Sequence, residues 1–216
     1  MKKLLVPVFF IASAWGCAND DKSENTKEDK KVNVIDSTLI TDSSWGAIND
    51  RTDFAGLQKI FGTENVKDER ICGAECVDSV DVTIIYPGDR KEIVVYWQDT
   101  NYHKDIAFLQ SGMYDAPYHT ASGLKIGSSL ADLLRINGQK INFSGFGWDY
   151  GGYIQSYNNG TMEKSPVQFR LDLDFTESTD NELMGDVELN TDMPSVKKEL
   201  NKIAISQISF LPGKKE

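Results

Sequence analysis

Short apolar bursts separated by Gly, Asn and Asp clusters run from about Ile40 to Gly213, and they fall into two periods. In the segment Thr52 to Gly62, Phe54, Leu57 and Phe61 recur at helical spacing, with Thr52 as N-cap and Gly62 as the stop. Ser128 to Gly138 repeats the plan. There Ser129 and Asp132 have capping-box spacing, Leu130, Leu133, Leu134 and Asn137 share one side, and Gly138 ends the helix. Each helix precedes strand-like segments. Val80 to Tyr86 and Ile93 to Trp97 follow the first, joined by the turn Pro87-Gly88-Asp89-Arg90. Lys140 to Phe143, Gly152 to Tyr157 and Val167 to Phe175 follow the second. A third helix is predicted over Met193 to Asn201, with Asp192 near its start and Pro194 in its first turn. Ile203 to Leu211 closes the region as a strand, and the slip in alternation between Ile205 and Ile208 predicts a bulge.

The predicted fold class is α+β: antiparallel sheet or sheets with two or three short helices, in a single globular domain over residues 40–213. That length suffices for one domain with a real core. A helix followed by a meander, twice, has two readings. One is an internal duplication of a helix-plus-meander unit; the other is the pair of glycine-terminated helices that any α+β domain of this length can offer.

The N-terminus follows different rules. Lys2 and Lys3 precede an apolar run from Leu4 to Ala14, too short for a membrane span of roughly 20 residues, so residues 1–16 read as a signal peptide. Ala14-Trp15-Gly16-Cys17 resembles a lipobox, although Trp15 departs from the usual small or aliphatic residue. The resemblance implies cleavage before Cys17 and acylation of its thiol, which makes Cys17 the lipid-anchored first residue of a lipoprotein. The competing reading is an ordinary secretory signal with a coincidental Cys. Two or more acyl chains hold a protein stably on a membrane at about 0.8 kcal/mol per buried CH2. Asp20 and Asp21, close behind Cys17, resemble the surface-export signal of some Gram-negative lipoproteins; an acidic linker and an inner-membrane retention signal are the alternatives. The expected location is the cell envelope, as an outer-membrane lipoprotein with the cell-surface face favoured.

Residues 17–39 form the lipidated N-terminus and a tether. The stretch DDKSENTKEDKKVNVIDS is dense in mixed charge and poor in large apolar groups, so it cannot offset its ordering entropy and reads as disordered. Its r.m.s. reach is on the order of 25 to 30 Å. Loss of Lys2 and Lys3 with the signal takes the formal charge from -10 to -12, which argues against nucleic acid as a partner.

The most distinctive run is Phe143-Ser144-Gly145-Phe146-Gly147-Trp148-Asp149-Tyr150-Gly151-Gly152-Tyr153. With Ile126-Gly127-Ser128-Ser129-Leu130 and Ile136-Asn137-Gly138 it resembles a group of exported bacterial proteins carrying an "IGTSL...LNG...GFGWDYGG" stretch. That group implies no particular activity. Its glycines allow close backbone approach while the aromatics supply area. Trp148, Asp149 and Tyr150 are therefore the candidate ligand-binding residues, the rings stacking on a sugar and Asp149 accepting its hydroxyls. The plainer and favoured reading puts Trp148 and Tyr150 on one buried or half-buried strand face with a glycine bulge. Trp45, Trp97 and Tyr96 admit the same pair of readings.

Cys72 and Cys76 have three residues between them, which excludes a thioredoxin-type motif. Fully extended they would sit about 13 Å apart, beyond disulfide reach, but Gly73 lets the chain turn, and in an oxidising compartment a loop disulfide is the working expectation. Zinc is disfavoured, because His103 and His119 lack the spacing of a close pair. No metal site and no cofactor is expected. A nucleophile elbow and a phosphate loop are both missing from the sequence. Asp172 and Asp174 share one face of a strand, as a glycosidase pair would, though the solvated face of a sheet explains them more simply. Asp180, Glu182, Asp186 and Glu188 lack calcium-loop spacing. The sequence thus favours a non-enzymatic binding or interaction module at the envelope, held to the membrane by its lipid and meeting a protein or glycan. The alternative is a polysaccharide-acting hydrolase using paired carboxylates; no catalytic residue is assigned.

Overall fold

The structure is a computed structural model that describes residues 36–73, 76–174, 176 and 180–213. Residues 1–35, with the lipobox, Cys17 and most of the expected tether, lie outside the described residues. The described residues belong to one compact unit. Its class is α+β, with three helices among the described residues and sheets that are antiparallel apart from one short pairing.

Six strands form the main sheet: β4 (Val66–Cys72), β5 (Ser79–Ile85), β6 (Ile93–Asp99), β7 (Lys104–Ser111), β11 (Val167–Asp172) and β13 (Ala204–Phe210). Their order is β11-β13-β7-β6-β5-β4. A second sheet has the order β10-β9-β12, built from β9 (Asn142–Ser144), β10 (Ile154–Ser156) and β12 (Glu188–Asn190). The third is a set of two-residue strands, β1 (Leu39–Ile40), β2 (Ser44–Trp45), β3 (Ile48–Asn49) and β8 (His119–Thr120), in which β1 and β8 run parallel. The fold begins ahead of Ile40: Thr38 takes a hydrogen bond from the His119 amide at its carbonyl and donates its own amide to Asp36.

Helix α1 (Phe54–Phe61) ends at Gly62 as its apolar spacing predicts, but its cap is Asp53, whose Oδ1 accepts the Gly56 amide at 2.8 Å. Thr52 instead accepts the Asn49 amide, closing the turn before the helix. Helix α2 (Leu130–Asn137) has the predicted capping box, with Ser129 Oγ accepting the Asp132 amide and donating to Asp132 Oδ2 at 2.8 Å. That hydroxyl holds the Asp132 carboxyl below its ordinary pKa. Helix α3 (Pro194–Glu199) is shorter than its pattern. Leu57, Leu130, Leu133 and Val196 from the three helices are buried in the same cluster as Val95, Leu109, Phe169, Ile208 and Phe210 of the main sheet. Trp45 and Trp97 belong to this core, 1% and 5% exposed, and the Trp97 indole donates to Thr83 Oγ1 at 2.9 Å.

Asn137, whose spacing places it beside the leucines of α2, is 1% exposed and fully bonded. Its Nδ2 donates to the Gln139 and Tyr157 carbonyls and its Oδ1 accepts the Met162 amide, so α2 fixes the loop after β10. Cys72 and Cys76 are bridged, with Cα atoms 4.7 Å apart, at the β4–β5 turn. A five-residue loop closed this way is worth about 2 kcal/mol by chain entropy. The helix-then-strands order does occur twice. The first set stays in one sheet, β4 to β7, while the second is split between two sheets.

The two edges of the main sheet are protected differently. β4 carries exposed Lys67, Asp68, Glu69 and Arg70, a charged edge that resists pairing. β11 is covered by the glycine-rich loop 145–153. Leu171 donates its amide to the Gly152 carbonyl, Gly152 donates to Ser144, and Tyr153 pairs with Arg170. A Cβ on Gly152 would fall 1.8 Å from the Leu171 carbonyl oxygen, and its φ of +73° is one that side-chain-bearing residues rarely adopt. Gly152→Ala should therefore lower stability by at least ~3 kcal/mol, roughly a 6 to 12 °C fall in Tm. A thermal melt of the variant within 2 °C or so of the wild type, on that same scale, would remove the close approach from the account.

Candidate functional site

The loop 145–153 leaves β9 and returns as β10, and its backbone is tied down before its aromatic side chains are placed. Gly145 donates to the Val187 carbonyl and Phe146 to the Leu183 carbonyl, which seats the Phe146 ring in the core, 1% exposed. Arg170 reaches from β11 with Nε donating to the Gly151 carbonyl at 2.8 Å and an Nη to the Asp149 carbonyl at 2.9 Å. Its guanidinium also lies 4.7 Å from the centre of the Tyr153 ring.

Trp148 and Tyr150 therefore stand in a turn, not on the strand face that the aromatic spacing suggests. The pleat cannot continue, because Gly147 has a φ of +81° and the chain must double back to reach β11. Trp148 is half-buried, its indole N–H donating to the Gly145 carbonyl at 2.9 Å, and its ring meets Tyr150 at 5.5 Å and 64°. Tyr150 is 52% exposed and Asp149 is exposed. Trp148 and Asp149 line a depression of about 540 Å³ together with Arg170, Asp172, Ser206 and Gln207. Tyr150 is not among its lining residues.

Ser206 explains why a depression forms there. Arg170 pairs with Gln207 and Leu171 with Ile205, so Ser206 is the extra residue of a bulge in β13, where alternation slips in the sequence. Its hydroxyl donates to the Arg170 carbonyl at 3.3 Å. Bulges locally disrupt the ladder between neighbouring strands and re-aim side chains, which opens the sheet beside Trp148. A second hollow of about 350 Å³ lies on the other side of the same bulge and shares Gly112, Asp172 and Ser206 with the first.

The carboxylate pair is rearranged. β11 ends at Asp172, so Asp174 lies beyond the strand, and the two do not share a strand face. Asp172 accepts the Leu173 amide and lines both hollows; Asp174 lines only the second. Asp180 caps a short 3-10 turn by accepting the Glu182 amide. His103 packs between Phe54 and Trp97 and lies 3.7 Å from Asp68, while His119 is in β8. Among the described residues no three His, Cys, Asp or Glu side chains gather into a group able to hold a metal. Arg170, Ser206 and Gln207 are not candidates by sequence. Only the broken alternation in β13 points to them.

No family model matches the chain, and no curated protein matches its sequence. Among solved structures the chain is similar to the uncharacterized protein yfeY from Escherichia coli, at 12% identity over 81% of this chain and 99% of that one, with a TM-score of 0.45.

Arg170 is the residue on which the shape of the site turns, because its planar fork holds two carbonyls of the loop at once. Lysine keeps the charge but not the fork. Arg170→Lys is expected to lose about 1 to 2 kcal/mol, to speed amide exchange across 149–153, and to shift Trp148 emission to the red. An Arg170→Lys protein with wild-type exchange in that loop would show that the fork does not hold it.

Proposed function

We propose that the protein is a lipoprotein of the bacterial envelope, anchored through Cys17, whose globular part is a non-enzymatic binding module. The anchorage rests on Lys2, Lys3, the apolar run and Ala14-Trp15-Gly16-Cys17. The outer membrane is the location that Asp20 and Asp21 favour. Among the described residues no helix is long and apolar enough to cross a membrane. The single observation that carries the binding reading is the half-buried Trp148 on the wall of a polar-lined depression beside Asp149, Arg170 and Gln207. A flat ring fixed at one edge by its own N–H bond, with hydrogen-bonding groups around it, suits adhesion to a glycan or a protein surface.

A hydrolase also needs two carboxylates here, and Asp149 and Asp172 do share the depression. Both are exposed, however. The general acid of a glycosidase is kept protonated at neutral pH by a buried, apolar setting, and neither group has that environment. Binding is the better-supported reading.

Two measurements test the proposal. Cys17→Ser should appear in a soluble fraction or retain its signal; a processed variant that stays fully membrane-bound would contradict lipid anchorage. Incubated with envelope polysaccharide, the protein should bind without releasing reducing ends. Release that disappears in Asp149→Asn and Asp172→Asn would make it an enzyme.

A further inference from the structure

Trp45, Trp97 and Trp148 are the tryptophans among the described residues. Trp97 donates its indole N–H to Thr83 Oγ1 and Trp148 to the Gly145 carbonyl, both at 2.9 Å. Trp45 is 1% exposed, and its N–H has no hydrogen-bond partner among the described residues. A buried donor left without an acceptor is costly and calls for an explanation. The Tyr118 ring meets Trp45 edge to face, at 4.9 Å and 74°, and a π face is a weak substitute for an oxygen.

Trp45 lines a cavity of about 190 Å³ between the end of α1, β2 and the turn from β5 to β6. Its walls are mostly aromatic. Phe61 from α1, Tyr86 from the turn and Tyr118 ahead of β8 surround it with Trp45, and buried Ile93 at the start of β6 joins them. Exposed Ser37, Ile60 and Lys91 mark its open side. β5 stops at Ile85, and Tyr86 adopts a φ of +55°, a conformation that a bulky residue takes only where its surroundings hold it, as at many binding sites. There its ring stands edge-on to Phe61, at 5.8 Å and 84°.

Size and charge select the occupant. An apolar cavity of about 150 Å³ takes one benzene, so this one has room for a single substituted ring. Among the described residues Lys91 is the one charged group that lines it, and the ammonium lies out over the Tyr86 ring, 5.7 Å from its centre. On the same turn Asp89 accepts the Lys91 amide and Glu92 the Gly88 amide, so both signs of charge stand at the rim. Between the rings, the Tyr118 hydroxyl donates to the Lys91 carbonyl, and burial above all raises its pKa, so it is not ionised. An ion placed there would lose its water without gaining a partner. An uncharged ring with an oxygen loses little water and supplies the acceptor that Trp45 lacks.

We propose that this cavity binds an uncharged monocyclic aromatic compound bearing a hydroxyl or carbonyl oxygen, the ring packing among Phe61, Tyr86 and Tyr118 and the oxygen accepting from Trp45. It shares no lining residue with the depression beside Trp148, so it is a second site.

The test titrates the nitrogen-15-labelled full chain, held in phospholipid nanodiscs, with phenol, benzyl alcohol, toluene and benzoate, and subtracts the signal of empty discs. The Trp45 indole N–H resonance, identified by its loss in Trp45→Phe, should move saturably with phenol and benzyl alcohol. By calorimetry both should bind about tenfold or more tightly than toluene or benzoate. Trp45→Phe keeps a ring but removes the donor, and should bring phenol down to the affinity of toluene while changing toluene by less than about twofold. Ala47→Leu, at another lining residue, fills the space and should weaken every ring about tenfold or more. The wild-type comparison of the four compounds stands whether or not either variant folds. Binding that leaves the Trp45 resonance in place puts the site elsewhere and overturns the proposal. So does toluene as tight as phenol, benzoate tighter than phenol, or no shift with any compound up to about 10 mM.

Discussion

The approach of Gly152 to the Leu171 carbonyl constrains both the stability of this fold and the shape of its candidate site. An exposed sheet edge presents unpaired amides and carbonyls, and β11 would be such an edge with nothing over it. Loop 145–153 supplies the missing partner at Leu171 while passing so close that no side chain fits at 152. The same passage joins the small β10-β9-β12 sheet to the main one through the Tyr153–Arg170 pairing. Because the backbone is committed to that contact, Trp148 and Asp149 project from a turn whose position is fixed at both ends. Arg170, Tyr153 and the β13 bulge at Ser206 then complete the surroundings.

A site built this way requires little ordering when something binds. Trp148 has its N–H already satisfied by Gly145 and its neighbouring carbonyls clamped by Arg170, so the ring is presented rather than recruited. Preorganisation of that kind lowers the entropic cost of association. The depression beside Trp148 carries both signs of charge, Asp149 and Asp172 together with Arg170. A lipid at Cys17 and a charged tether would set the distance of such a surface from the membrane without dictating what it holds.

Much of the fold is legible in the sequence where one face is buried and the other wet. α1 and α2 announce themselves by spacing and by Gly62 and Gly138, and β5 and β6 by their β-branched runs and the intervening Pro-Gly turn. β4 is illegible because VKDERIC is a charged edge with almost nothing to bury. β7 is missed for the opposite reason: Phe108 packs on Tyr96 on the outer face while Ile106 and Leu109 face the core, so alternation disappears. The site divides similarly. The run from Phe143 to Tyr153 stands out by its glycines and aromatics, but whether it is strand or turn depends on reaching β11, a long-range contact that no local pattern encodes. Arg170, an ordinary alternating residue of β11, becomes central only through that contact.

Residue-resolved amide hydrogen exchange on the folded protein tests the central claim most directly. If loop 145–153 seals the edge of β11, the Leu171 amide will exchange in the slow class with Ile208 of the interior strand β13, while the exposed amides of 148–150 exchange quickly. A Leu171 amide that exchanges as fast as those turn residues would mean that the edge is open and that the geometry of the Trp148 depression is not fixed by it.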